Sequence, residues 1–137
     1  MKTSEQPLIA IVEDDDATAE MLADLLAMSG YRTLQISRAE AAYPAIRAAQ
    51  PQLVVLDVWL EHRHAGSMVV GMLSIDPATA HIPVVLCSAQ VADLRARGDQ
   101  ILHRVAGVVE KPFALEALLT TIRGALENTV YTASEAS

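Results

Sequence analysis

The sequence predicts an α/β fold, a single layer of five parallel strands with helices packed on both faces. Three observations carry that expectation. Apolar runs and helical patterns alternate along the whole chain, with no internal repeat or low-complexity linker. Three of the runs are unbroken by polar residues, the mark of parallel strands enclosed on both sides. A length of 137 residues, 52% of them hydrophobic and 20% charged, is enough for one full core and too little for two.

The elements follow in order. Leu8-Ile9-Ala10-Ile11-Val12 reads as a central strand, and Met21, Leu22, Leu25 and Leu26 form the stripe of a helix that stops at Gly30, a residue suited to a left-handed C-cap. Tyr31-Arg32-Thr33-Leu34-Gln35-Ile36 alternates apolar with polar and is placed at a sheet edge. Ser37-Arg38-Ala39-Glu40 reads as a capping box opening an Ala-rich helix to Ala49, with a kink expected at Pro44. Leu53-Val54-Val55-Leu56 is the third strand, and Met68, Val69, Met72 and Leu73 mark the helix after it, the two methionines being expected to fill core gaps. Val84-Val85-Leu86-Cys87 is the fourth strand, with Cys87 expected as a small buried hydrophobe. Val91, Leu94, Ile101 and Leu102 outline a helical segment that Gly98 is placed to break in two. Gly107-Val108-Val109-Glu110, short and ending in charge, is the second edge strand. Leu115, Leu118, Leu119, Ile122 and Leu126 form a final stripe with clean helical spacing. The expected organisation is an N-terminal extension over residues 1–7, one domain over 8–127, and a polar, frayed tail over 128–137.

With the second and fifth strands at the edges, the order 2-1-3-4-5 fits best, a flavodoxin-like (βα)5 arrangement. In such a sheet the winding reverses between strands one and three, and the crevice beyond their carboxyl ends is where a site belongs.

Composition removes several function classes. No apolar run approaches the ~20 residues of a membrane span, and Thr3, Ser4, Glu5 and Gln6 stand where a secretory signal needs its apolar region. A cytoplasmic protein that does not enter a membrane is expected. The single cysteine excludes an internal disulfide and a multi-cysteine zinc site. Ten basic against seventeen acidic residues give a net charge of −7, which repels phosphate backbones, so no nucleic-acid partner is expected.

Acidic residues converge on the crevice. The first strand runs into Glu13-Asp14-Asp15-Asp16 and the third into Asp57. Asp15 and Asp16 are read first as N-capping residues of the following helix. Glu13, Asp14 and Asp57 repel one another unless a cation sits among them, and oxygen-only ligands favour a hard divalent ion such as Mg²⁺. Ser88 closes the fourth strand, and Lys111-Pro112-Phe113 follows the fifth. Carboxylates, metal, hydroxyl and ammonium together suit phosphoryl transfer onto a carboxylate nucleophile. No Gly-x-x-x-x-Gly-Lys-Ser/Thr follows the first strand, so a P-loop is excluded.

Across about residues 8–126 the chain resembles a response-regulator receiver domain of two-component signalling. The resemblance rests on Ile11-Val12-Glu13-Asp14-Asp15, Leu53-Val54-Val55-Leu56-Asp57, Ser88-Ala89, and Val109-Glu110-Lys111-Pro112-Phe113, each at the end of the appropriate strand. It implies that Asp57 accepts a phosphoryl group from a histidine kinase or phosphotransfer protein and that the domain catalyses its own phosphorylation and dephosphorylation. It further implies that Asp14, Asp57 and the carbonyl of Trp59 ligate Mg²⁺, with Glu13 reaching the ion through water. Ser88 and Lys111 would contact the phosphoryl oxygens, and the Lys111-Pro112 peptide would be cis.

Three features depart from the family pattern. After Asp57 the family usually has a Met-Pro and an acid-Gly pair, and the loop here, Val58-Trp59-Leu60-Glu61-His62-Arg63-His64-Ala65-Gly66, lacks the proline and is one residue longer. Val108 stands where the family carries its switch aromatic, three residues before the lysine. With eleven residues after Leu126, no effector domain is expected, and a stand-alone receiver signalling through a separate downstream protein is expected, with homodimerisation left open. A second reading stays beside this one: a receiver-fold binding module acting without a phosphorylation cycle. His62 and His64 read as solvated loop residues rather than metal ligands, His81 and His103 as surface residues, and Trp59 either packs the loop or shields an acyl phosphate.

Overall fold

The computed structural model describes residues 6–58 and 65–136, with side chains described through residue 128. Five strands, β1 (Leu8–Val12), β2 (Arg32–Ile36), β3 (Leu53–Leu56), β4 (Val84–Ser88) and β5 (Gly107–Glu110), form one sheet in the order β2-β1-β3-β4-β5. Every pairing is parallel, and β2 and β5 lie at the edges as expected. Between the strands run α1 (Asp16–Met28), α2 (Ala39–Ala49), α3 (Ala65–Ile75) and α4 (Val91–Ala96), and α5 (Leu115–Ala136) follows the last strand. No described helix is long and apolar enough to cross a membrane.

The two-residue alternation of a strand sorts the core into two layers. Ile9, Ile11, Leu53, Val55, Val85, Cys87 and Val109 point to the side covered by α1 and α5, where Leu22, Leu26, Leu118 and Ile122 complete the cluster. Ala10, Val12, Val54, Leu56, Val84 and Leu86 point the other way, against Ile46 of α2, Val69, Val70 and Leu73 of α3, and Leu94 of α4. Each fully buried aliphatic side chain contributes about 1.5–3 kcal/mol, so both layers hold the sheet.

Two glycines set helix ends through their backbone angles. Gly30, at φ 95°, closes α1, with the N–H of Tyr31 donating to Leu26 O at 3.0 Å and that of Gly30 to Ala27 O at 3.1 Å. Gly98, at φ 64°, does the same for α4: Asp99 N donates to Leu94 O at 2.9 Å and Gly98 N to Arg95 O at 3.1 Å. Both are Schellman closures that a side chain would strain. The segment after Ser88 is therefore broken where expected, and after Gly98 it resumes as a short 3₁₀ turn, Gln100–His103.

Several local expectations need correction. The N-cap of α2 is Arg38, without a side-chain cap, rather than Ser37. Glu40 pairs with the Arg38 guanidinium at 2.9 Å, which takes its carboxylate away from the reciprocal bond of a capping box. Met21, Met68 and Met72 are exposed, because α1 turns Ala19, Leu22, Ala23 and Leu26 inward and α3 turns Ala65, Gly66, Val69, Val70 and Leu73 inward. Leu115 is also exposed. The last helix continues to Ala136, through the stretch expected to fray. No glycine or proline after Gly124 interrupts it.

Candidate functional site

The carboxyl ends of the inner strands converge because the sheet is parallel and its winding reverses between β1 and β3. Glu13 follows β1 and its backbone N–H donates to Ile36 O at 3.0 Å, while Asp57 follows β3 and its N–H donates to Val12 O at 3.2 Å. The ladder thus carries both acids one step past the strands and sets them side by side. Lys111 reaches them from beyond β5, its own N–H anchored on Ser88 O at 2.9 Å.

The Lys111 ammonium joins the two acids, with Nζ 2.9 Å from Glu13 Oε1 and 2.9 Å from Asp57 Oδ2. Glu13 is 4% exposed and Asp57 9% exposed, so this ion pair network is largely withdrawn from water. Burial pushes the Glu13 carboxyl above its ordinary range, opposed by the hydrogen bond and charge of Lys111. Burial pulls the Lys111 ammonium down, but hydrogen bonds and charge from Asp57 and Glu13 outweigh it and hold the ammonium above its ordinary value. Lys111 therefore stays charged at neutral pH. Its peptide to Pro112 is cis, as expected.

The other residues singled out from the sequence divide clearly. Asp14 is half-buried beside Glu13. Asp15 caps α1, accepting from Thr18 N at 2.9 Å and from Thr18 Oγ1 at 2.6 Å, and Asp16 opens the helix. Ser88 is fully buried at the end of β4, and its Oγ accepts the Gln90 N–H at 2.9 Å. Cys87 is buried and its thiol is pushed up to about 12 by desolvation, which leaves it unreactive at neutral pH. His81 and His103 are exposed. Trp59, His62 and His64 lie outside the described residues.

The donor chemistry fits a hard divalent cation. Glu13, Asp14 and Asp57 offer only oxygen. Among the described residues, no group of three or more His, Cys, Asp or Glu side chains could by itself hold a metal.

Gly66 escaped the reading of the sequence as a site residue. It lies in the first turn of α3, and a Cβ there would stand 2.5 Å from Val58 Cα and 2.7 Å from Asp57 O. A glycine where α3 begins, a place that ordinarily favours better helix formers, was the available signal. An apolar cleft of about 430 Å³ adjoins the site, lined by Thr18, Met21, Ala89, Lys111, Pro112 and Phe113. Of these, only Lys111 is among the site residues to which the sequence points.

Known proteins similar to this chain give its family and fold. The family model of the response regulator receiver domain matches residues 9–123. The phosphate regulon transcriptional regulatory protein PhoB of Pseudomonas aeruginosa is 29% identical over 122 residues, covering 88% of this chain and 52% of PhoB. The response regulator protein FleR of the same species is 32% identical over 114 residues, covering 83% of this chain and 23% of FleR. The chain thus spans about half the length, or less, of these curated relatives. Among solved structures, a putative response regulator from Chloroflexus aurantiacus superposes with a TM-score of 0.80 at 26% identity, covering 90% of this chain and 99% of that one. The chemotaxis response regulator CheY4 of Vibrio cholerae gives 0.78 at 17% identity over 88% of this chain and 99% of that one, a likeness of fold.

Proposed function

This chain belongs to the response regulator receiver domain family, and from that membership we propose that Asp57 accepts a phosphoryl group from a histidine kinase or phosphotransfer protein. The observation that carries the reading is the Lys111 ammonium held between Glu13 and Asp57 at the carboxyl ends of β1, β3 and β5. A binding surface without chemistry gains nothing from burying two acids around one cation, because desolvating charged groups is costly.

In the step proposed, an Asp57 carboxylate oxygen attacks phosphorus as the P–N bond of a phosphohistidine breaks. The electron pair of that bond leaves with the imidazole, and an acyl phosphate remains on Asp57. With acetyl phosphate as donor, the P–O bond to the acyl group breaks and acetate leaves. Lys111, already hydrogen-bonded to Asp57, neutralises charge on the transferring oxygens, and the Ser88 hydroxyl donates to one of them. Asp14, Asp57 and the Trp59 carbonyl would hold Mg²⁺, with Glu13 acting through water. When bound, the ion supplies charge neutralisation at the phosphoryl oxygens. Output passes through protein contacts to a downstream partner.

Incubation with acetyl phosphate and Mg²⁺, read by intact mass, tests the assignment. Wild type is expected to gain about 80 Da, the mass of one phosphoryl group, and Asp57→Asn to gain none while keeping its fold. An equal adduct on Asp57→Asn would move the acceptor elsewhere. A wild type that takes up nothing would favour the phosphorylation-independent binding module, to which Val108, in place of the switch aromatic, also points.

A further inference from the structure

We infer that Gly66 is a positioning residue for the phosphoacceptor. Its missing side chain lets the first turn of α3 rest directly on the Asp57-Val58 peptide. The inference deepens the proposed function and rests on it.

The Asp57 backbone is confined from two sides. On the β1 side, its N–H donates to Val12 O at 3.2 Å. On the α3 side, a Cβ built at Gly66 would meet Asp57 O at 2.7 Å, Val58 Cα at 2.5 Å and Val58 O at 2.9 Å. All three neighbours are backbone atoms, so no side chain can turn aside to make room. The Gly66 N–H also donates to Val58 O at 3.0 Å, which ties α3 to the residue after the acceptor. Adding one carbon at Gly66 must move either α3 or the Asp57-Val58 peptide. The second movement changes the direction of the Asp57 carboxylate relative to Lys111 Nζ, 2.9 Å away.

Two other glycines show that this need is local. Gly71, farther along α3, has open space where its Cβ would go. Gly107 is equally crowded at 2.5 Å, but its neighbour is the Thr121 Cγ2 methyl, a side-chain atom. Only at Gly66 does the crowding fall on the peptide that carries the acceptor.

The test compares initial rates of phosphoryl uptake from saturating acetyl phosphate with Mg²⁺ in wild type, Gly66→Ala, Gly71→Ala and Gly107→Ala. Gly66→Ala is expected to slow the maximal rate on the order of 10- to 100-fold, as a small misplacement of a reacting group does. Gly71→Ala and Gly107→Ala are expected to stay within about twofold of wild type. Because Gly66→Ala can lose the fold, it is also placed in the Gly71→Ala background, where higher helix propensity restores stability to α3. A double variant with wild-type unfolding midpoint and a slowed maximal rate supports positioning, since lost stability alone would leave the rate of the folded protein unchanged. Wild-type rates in the folded variant overturn the inference, as does failure of both variants to fold, which makes Gly66 purely structural. A wild type that takes up no phosphoryl group overturns the underlying reading instead.

Discussion

On one side of the sheet, α1 runs 13 residues and α5 runs 22, and a side-chain cap starts α1 at Asp15. On the other side, α4 has six residues, no side-chain cap, and a break at Gly98 before the 3₁₀ turn Gln100–His103. Both layers bury full-sized aliphatic residues, and α2 and α3 run 11 residues each on the second side, so the short, broken element is α4 alone. A short helix without a side-chain cap has few bonds to lose, and local unfolding begins in such segments. Fixed acids against a steady layer on one side, with a segment that can rearrange on the other, is an arrangement that can register chemistry at Asp57. The connection runs through Ser88, whose Oγ holds the Gln90 N–H at the entrance to α4. If the hydroxyl changes rotamer to reach a phosphoryl oxygen, its Oγ moves away from that N–H.

The comparison is sharpest in paired truncations. Leu26→Ala in α1 is expected to cost about 3 kcal/mol in global stability, read from chemical denaturation. Leu94→Ala removes a side chain that is also fully buried. Its cost should fall first on hydrogen-exchange protection of residues 91–103, with a smaller shift in the global midpoint. Equal global losses with no local opening would make the two layers one cooperative unit. Gly30→Ala and Gly98→Ala extend the pairing, since both glycines have positive φ and open space around the missing Cβ. Each is expected to cost about 1 kcal/mol of backbone strain, expressed globally for Gly30 and within residues 91–103 for Gly98.

The site itself adds a pH dependence. Glu13 has a folded-state pKa raised by burial. Its favourable contribution is therefore present below the unfolded value and lost as pH rises through the folded one, which makes the ionised group a cost at pH 7. Glu13→Gln is expected to raise the melting temperature at pH 7 and leave it nearly unchanged at pH 4, in thermal scans at both values. Asp15 has the opposite sign: the Thr18 hydroxyl and N–H hold its carboxyl below the usual range. Its contribution is present above the unfolded value and lost as pH falls through the folded one. Asp15→Ala is expected to produce the smallest change, a slightly lower melting temperature at pH 7 that disappears at low pH.

Much of this was legible in the sequence because it depends on single residues in strong contexts. Apolar runs at Leu53–Leu56 and Val84–Ser88 leave no solvated face and so define inner strands. A charged residue directly after such a run, as at Glu13 and Asp57, must lie at the strand end. Gly98 was readable because a glycine between two short apolar groups has a specific backbone use. The rest depended on partners outside the local window. Met21 and Met68 carry the same hydropathy as core residues, and only packing turned Ala23 and Val70 inward instead. Ser37 lost its capping role to an Arg38–Glu40 pair that periodicity does not report. Gly66 meets the Asp57-Val58 peptide from eight residues further along the chain, a contact no helix or strand periodicity predicts.

Hydrogen exchange with and without beryllofluoride and Mg²⁺ tests most directly whether chemistry at Asp57 is registered on the α4 side. The mimic is expected to change protection across residues 88–104 more than at Val108, which packs at the margin of the same core layer, and more than in α1 or α5. Equal protection across residues 88–104 with and without the mimic would contradict it, and so would a change centred on α1 and α5.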